Sequence, residues 1–468
     1  MKQQEELQRG LESRHITLMS LGAAIGVGLF LGSGKAIDLA GPSILIGYAV
    51  AGAVMFLIMR SLGEMAINNP VAGSFSRYAK DYLGPLAGYI TGWNYWFLWI
   101  VTCMAEITAV GIYMDKWFPY KASEAISMSN VPTWIWSLAA LIIMALVNLI
   151  AAKAYGEFEF WFALIKIVAI IALIIIGLGI IIFGFGNGGV ATGISNLWNN
   201  GGFAPHGVKG ILMSLQIVMF AFLGIEMIGV TAGEVKNPKK VLARAIDTVF
   251  WRILIFYIGA LFVIMSIYPW DQIGTAGSPF VLTFEKIGLG QAAGIINFVV
   301  LTAALSSCNS GIFSTGRMLF NLAQQKQAPA SLKKINRGGV PSVAILVSAF
   351  VLLIGVALNY LFPGSEVFTW ITSISTFGAI WTWATIILSQ MRFRKTLTKE
   401  QLKELKYKAP LYPFGSYLAL AFLVLVIGVM AFFEDTRIAL YVGPIWILLL
   451  VLFYYMNGHH KTNKKSSL

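Results

Sequence analysis

Charge is scarce in this chain: only 12% of its 468 residues are charged, about half the share of an ordinary soluble domain. That scarcity excludes water as its main solvent. Histidine and cysteine are rarer still, with four and two residues. Cys103 and Cys308 both lie inside apolar runs, where a thiol packs as a small hydrophobe, so no disulfide framework is expected. There is no phosphate-binding glycine loop, no HExxH and no cysteine–histidine metal spacing. ATP drive, intramembrane proteolysis, a metal site and an organic cofactor therefore have no sequence basis, and neither does an enzyme. The first fifteen residues, MKQQEELQRGLESRH, lack the apolar core of a cleavable leader, so the first apolar run is expected to stay in the protein.

What the chain has instead is a succession of apolar runs. Its residues are 57% hydrophobic, with mean hydropathy +0.75. Windows of about 19 residues place runs near 16–34, 40–66, 86–114, 133–151, 158–183, 208–233, 248–269, 291–315, 341–361, 366–390, 413–433 and 437–456. Each is long enough to cross a bilayer as a helix. The expectation is one all-α integral membrane domain of twelve transmembrane helices, with both termini on one side. Only 362–365 separates spans 9 and 10, which predicts a tight hairpin.

The net charge of +13 would point to nucleic acid in a soluble protein, but here its placement by loop matters first. Lysines and arginines in alternate loops divide about 26 to about 6, the larger group including Lys2, Arg60, Arg77, Lys240, Arg317 and Arg392–Lys408. Cationic loops resist translocation, so the N- and C-termini are expected to be cytoplasmic and no nucleic-acid partner is expected. Gly184–Gly207 carries no cation and reads as an external loop. In the basic loop 391–412, Thr398-Lys399-Glu400-Gln401 has the form of a capping box. A short surface helix and a solvated loop both fit it.

Four places inside the spans depart from inert hydrocarbon. Span 1 carries Gly22, Gly26, Gly28 and Gly32. Gly22 and Gly26 have the spacing of close helix packing. Gly26-Val27-Gly28 also allows a mid-membrane break whose bare N–H groups favour a carboxylate. Both readings stand. Span 6 holds Glu226 in Phe220-Ala221-Phe222-Leu223-Gly224-Ile225-Glu226, and a mid-span carboxylate costs roughly 2.5–3.5 kcal/mol to insert. It either caps unwound backbone or handles substrate or protons, or does both. Glu106 in span 3 and Lys166 in span 5 are also deep. Lys166 lies roughly 12 Å from the nearer end of its run, too far to snorkel, and needs an internal partner. An ion pair and a functional role remain open for each. Ser306-Ser307-Cys308-Asn309-Ser310 in span 8 suits a polar path, or hydroxyls bonded to their own helix.

Ordered matches along nearly the whole chain carry a resemblance. They are Arg14-His15, Gly26-Val27-Gly28, Ala40-Gly41-Pro42, Gly63-Glu64, Pro70, Gly73-Ser74-Phe75, Phe158-Glu159-Phe160-Trp161-Phe162, Gly224-Ile225-Glu226, Ala232-Gly233-Glu234, Asn237-Pro238, Asn309-Ser310-Gly311 and Arg317-Met318. The chain resembles the amino acid permeases of the amino acid–polyamine–organocation superfamily, in the amino acid transporter branch. The resemblance implies an inverted five-helix repeat core over 16–390, with repeats at about 16–183 and 208–390, broken helices 1 and 6, and peripheral helices at 413–456. Residues 1–15 and 457–468 are the expected cytoplasmic ends.

It further implies that the substrate α-carboxylate is held at Ala24, Ile25, Gly26, Val27 and Gly28. The α-amino group is held at Phe220, Ala221, Phe222, Leu223 and Gly224, beside Glu226. Lys166 resembles a lysine proposed to replace sodium in proton-coupled relatives, which makes it the implied proton carrier, with Glu106 and Glu226 as further candidates. Permeases for cationic substrates tend to carry Gln-Gly-Thr-Glu where this chain has Leu223-Gly224-Ile225-Glu226. That departure favours a neutral L-amino acid such as alanine, proline or threonine. The implied activity is proton symport across the cell membrane. The alternatives are exchange without a proton, and a nutrient sensor, which would be expected to carry a longer cytoplasmic tail.

Overall fold

In hydrocarbon every backbone N–H and C=O must find its partner inside the protein, and a helix supplies this within one segment. The computed structural model describes residues 25–69, 74–121, 123, 127, 130–150, 152–185, 188–230, 238–273, 277–362 and 365–458. Among them no strand forms apart from an isolated Ser127–Asn130 bridge. Ten helical stretches of the described residues are long and apolar enough to cross a bilayer, and Gly207–Ala221 is a shorter apolar helix. The first of the ten, Gly32–Asn68, joins the second part of span 1 to span 2 through the tight Gly41–Ser43 turn. Every expected span therefore has its helix, and the fold is the twelve-helix membrane fold with helices 1 and 6 broken.

Helix ends differ from the apolar windows. Span 8 runs Gly290–Gln324 and span 10 runs Ser365–Thr396, beyond the expected ends at 315 and 390. Span 5 begins at Ala152 rather than 158. Hydropathy reports bilayer thickness, roughly 30 Å, whereas the helical ladder continues as long as its residues allow. A helix of 35 residues is roughly 52 Å long, so its ends leave the hydrocarbon. The polar helices Ser74–Leu83 and Pro238–Asp247 were invisible to the windows for the same reason. In the basic loop, Lys399–Glu404 is helical. Thr398 Oγ1 accepts from Gln401 N at 3.3 Å and Thr398 N donates to Gln401 Oε1 at 2.9 Å, which completes the capping box. Spans 9 and 10 end at Leu361 and begin at Ser365, the short connection expected.

The two breaks face each other. Gly26 is extended and precedes Val27–Phe30, and Leu31 interrupts the helix before Gly32–Ala40. Residue 24 and those before it lie outside the described residues. Span 6 stops at Ala221, turns through 222–226 and resumes at Met227–Val230. Gly224 takes φ +97, a conformation that costs a side chain dearly and glycine little. Gly207–Ala221 packs along Gly32–Ala40, and span 8 packs against spans 3 and 5. Spans 3, 5 and 8 thus wall the breaks.

Candidate substrate and coupling site

A broken helix leaves backbone groups without intrahelical partners, and these must be met nearby. At span 1 the Ile25 carbonyl accepts from Lys166 Nζ at 3.1 Å. Lys166 also donates to Ser306 Oγ at 3.0 Å, and Ser306 Oγ donates to Glu159 Oε1 at 2.7 Å. All three side chains are fully buried. The line Ile25–Lys166–Ser306–Glu159 therefore ties the break of span 1 to spans 5 and 8 through one ammonium group. Any movement of span 1 away from span 5 must release that ammonium from its carbonyl.

On the other side of the break, the Glu106 carboxyl lies against the Val27 backbone and the Ser307 side chain. Among the described residues, one oxygen of Glu106 and one of Glu159 have no hydrogen-bond partner. Span 6 is secured differently. Glu226 folds back on its own turn, accepting from Gly224 N at 3.2 Å, from Tyr95 Oη at 3.3 Å and from Trp383 Nε1 at 3.4 Å. Tyr257 Oη donates 2.9 Å to the Ala221 carbonyl that the break frees. Tyr257 sits in a π-helical stretch, Ile253–Gly259, a distortion often found beside functional sites.

Between the breaks lies a small cavity lined by Gly26, Gly28, Phe220, Ala221 and Leu223 from spans 1 and 6. Trp99, Thr102, Glu106 and Ser307 close it from spans 3 and 8. Its volume of about 10 Å³ is room for roughly one water. A free amino acid is several times larger, so spans 1 and 6 must separate to admit one.

A family model described as amino acid permease matches residues 15–467. The chain belongs to the amino acid permease family. It is 71% identical to "Uncharacterized amino acid permease YtnA" of Bacillus subtilis (strain 168), over 99% of this chain and 97% of the relative. It is 50% identical to "Probable threonine/serine transporter YbxG" of the same organism, covering 97% and 96%, and 50% identical to "Amino-acid permease AapA", covering 97% and 95%. The protein is thus a multi-pass membrane permease for amino acids, and a carrier rather than an enzyme.

Of the residues singled out in the permease sequence, Gly26, Gly28, Phe220, Ala221, Leu223 and Glu106 line the cavity. Ile25 contributes its carbonyl to Lys166, and the Val27 backbone lies against Glu106. Phe222 and Gly224 shape the turn of span 6, where Phe222 packs edge-on to Tyr48 with ring centres 5.8 Å apart. Glu226 lies behind that turn and does not line the cavity. Ala24 lies outside the described residues. Glu159, Trp99, Thr102 and Ser307 received no individual role from the sequence. Helical spacing held the missing signal: Glu159 is seven residues before Lys166, and Trp99, Thr102 and Glu106 stand at i, i+3 and i+7, so each set shares a helix face.

Proposed function

We propose that this permease imports a small neutral L-amino acid by proton symport with alternating access, and that Lys166 carries the coupled proton. The observation that carries the reading is the 3.1 Å bond from Lys166 Nζ to the Ile25 carbonyl. A charged lysine holds span 1 against span 5, and loss of its proton weakens that bond, so protonation and the position of span 1 are linked. The local inventory supports a cation's entry. Among the described residues bound to or lining the breaks, Glu106, Glu159 and Glu226 are buried carboxyl groups and Lys166 is a buried ammonium, and a buried surplus of one charge is costly. Protons or the substrate's own α-ammonium meet that surplus.

The binding positions are those implied by the resemblance. The substrate carboxylate meets the N–H groups at Ala24–Gly28 and the amino group meets the carbonyls of Phe220–Gly224, with Glu226 securing the second break. Trp99, Phe220 and Leu223 offer no charge to a side chain, while Thr102 and Ser307 offer hydroxyls, which suits alanine, serine, threonine or proline. One relative named as a threonine/serine transporter supports the same class. Residues 16–390 form the moving core in this reading, and 413–456 remain at its edge. The 26-to-6 division of cations supports cytoplasmic termini in a cell membrane. Reporters at 391–412 are then cytoplasmic and those at 184–207 external, and the reverse accessibility rejects the orientation.

The test is uptake of a panel of labelled amino acids into proteoliposomes, with and without an inward proton gradient, for the native chain and Lys166→Ala. The reading expects accumulation of small neutral substrates to follow the gradient, and that dependence to disappear in Lys166→Ala whether or not exchange survives. Full gradient-driven accumulation by Lys166→Ala removes Lys166 as the carrier and moves the search to Glu106 and Glu226.

A further inference from the structure

A second and roomier cavity lies away from the broken helices. About 440 Å³ in volume, it runs between the start of span 3, the connection after span 8 and the last helix. Tyr89, Trp93, Leu450 and Phe453 form its apolar walls, with Trp446 at the deep end. Lys326, Gln327 and Asn457 line the end where span 8 and the last helix finish. From Trp446 to Asn457 the helix rises roughly 16 Å, which suits most of an acyl chain. The outer face of that helix, with Leu448, Leu452 and Met456 62%, 57% and 77% exposed, continues the groove onto a surface that faces lipid.

We propose that this groove is a binding site for an anionic phospholipid with hydroxyls on its headgroup, such as phosphatidylglycerol. Its acyl chain lies along Tyr89, Trp93 and Leu450, and its phosphate meets Lys326. Two observations point to a headgroup rather than to hydrocarbon alone. Gln327 is only 8% exposed, yet its Oε1 has no hydrogen-bond partner among the described residues. An amide oxygen needs a donor, which a headgroup hydroxyl supplies and an acyl chain or a phosphate does not. Lys326 stands beside it, exposed, with φ +61, and the sequence past the groove continues with Lys461, Lys464 and Lys465. Basic pockets between membrane helices at an interface attract anionic headgroups. The Gln327 backbone is itself fixed to the wall, its carbonyl accepting from Trp93 Nε1 at 3.3 Å.

The groove borders span 3, through Tyr89 and Trp93, and the connection that begins after span 8, through Gln327.

The test is native mass spectrometry of the purified full chain exchanged into detergent micelles containing either phosphatidylglycerol or phosphatidylcholine of the same chain length. The native protein is expected to retain one phosphatidylglycerol, at least roughly fivefold more than phosphatidylcholine. Lys326→Asn removes the charge and suits a positive φ, so the fold is preserved while the preference for phosphatidylglycerol disappears. Leu450→Trp fills the groove and removes retention of both lipids. Equal retention of the two lipids by the native protein overturns the proposal. So does an unchanged preference in Lys326→Asn with unchanged retention in Leu450→Trp. Displacement of bound lipid by millimolar glycerol phosphate alone shows a free-anion site and likewise overturns it. Measuring neutral amino acid uptake of the same variants keeps this outcome separate from that of the transport proposal.

Discussion

Two buried carboxylates in this permease, Glu64 and Glu106, stand in opposite circumstances. Glu64 is fully buried and receives Arg394 Nε and Nη2 at 2.6 Å each, Gln390 Nε2 at 3.1 Å and the Ala409 N–H. The bidentate arginine neutralises its charge and its lone pairs are used. Arg394 in turn sits 4.0 Å from the centre of the Tyr412 ring. Glu106 is also buried, but it lies only against the Val27 backbone and the Ser307 side chain and, among the described residues, leaves one oxygen without a partner. The first arrangement fixes three segments, the end of span 2, the end of span 10 and the basic loop. The second leaves unmet polar capacity at a seam where two helices must part, which is where a carrier needs it. In the proposed transport reading, burial of charge alone does not mark function; incomplete partnering beside a helix break does.

The sharpest way to break that contrast is at the seam itself. A Cβ on Gly28 would lie 2.6 Å from the Ala221 Cα, and one on Gly26 would lie 2.9 Å from Glu106 Oε1. Gly28→Val and Gly26→Val are expected to abolish substrate binding while the protein still inserts, because a branched side chain has no room at either position and props the breaks apart. Binding measured on purified, monodisperse protein checks this. Native affinity in both variants leaves only a packing role for these glycines.

The next largest effect comes from making the same exchange in both clusters. Removing one partner of a buried pair costs about 3–5 kcal/mol, whereas replacing both by apolar residues is often neutral. Arg394→Ala is therefore expected to lower the melting temperature steeply, and Glu64→Leu with Arg394→Met to recover it together with uptake. Glu159→Leu with Lys166→Met is expected to recover stability and not gradient-driven uptake. Thermal unfolding in detergent and proteoliposome uptake separate the two. If uptake returns in both pairs, the clusters do not differ in kind.

Glu226 lies between these extremes. Its partners at Gly224, Tyr95 and Trp383 are all donors. Glu226→Gln puts an amide NH2 among donors, a mismatch worth roughly 1–3 kcal/mol. Retained insertion with lost or altered transport is the expected result, read as uptake per folded molecule. Unchanged uptake makes Glu226 a structural clamp like Glu64.

The sequence told these regions apart only in part. Apolar windows located the spans because hydropathy and the bilayer act on the same length scale, and Thr398–Gln401 offered a helix beside a solvated loop because a capping box is local. Glu106, Lys166 and Glu226 stood out because charge in mid-span is costly. Glu64 was recognised only as part of a family-like pair, since its partner Arg394 is 330 residues away and no local pattern encodes such a contact. Glu159 drew no role because it sits near the start of an apolar window, although its seven-residue spacing from Lys166 was legible. The π-helical stretch at Ile253–Gly259 left no pattern that hydropathy could register, because it changes the hydrogen-bond register of an otherwise uniform apolar run.

The smallest expected effect lies at the edge of the Glu64 cluster and tests whether its surroundings are structural throughout. Tyr407 Oη donates to Asp247 Oδ1 at 2.8 Å, Arg60 Nη1 pairs with the same oxygen at 2.7 Å, and the Arg60 guanidinium lies 3.9 Å from the centre of the Tyr407 ring. Burial first, and then the bond to Asp247, push the Tyr407 hydroxyl above its ordinary pKa of 10.0. A group raised in the folded state contributes stability that is whole below its unfolded pKa and lost as pH rises through the folded one. Tyr407 should therefore favour the native fold at neutral pH and progressively less above about pH 10. Tyr407→Phe is expected to cost about 1 kcal/mol near pH 7, with the Arg60 contact to the ring retained. The deficit should shrink or reverse as pH rises past 10, because phenylalanine has no proton to hold. Melting temperatures of the two proteins in detergent from pH 7 to 11 measure it, with uptake at pH 7 as control. A parallel pair of curves removes the Tyr407 hydroxyl from the contacts that stabilise this edge. A loss of uptake larger than the loss of stability extends the working part of the permease to its basic loop, and the distinction between the two clusters then fails at its edge.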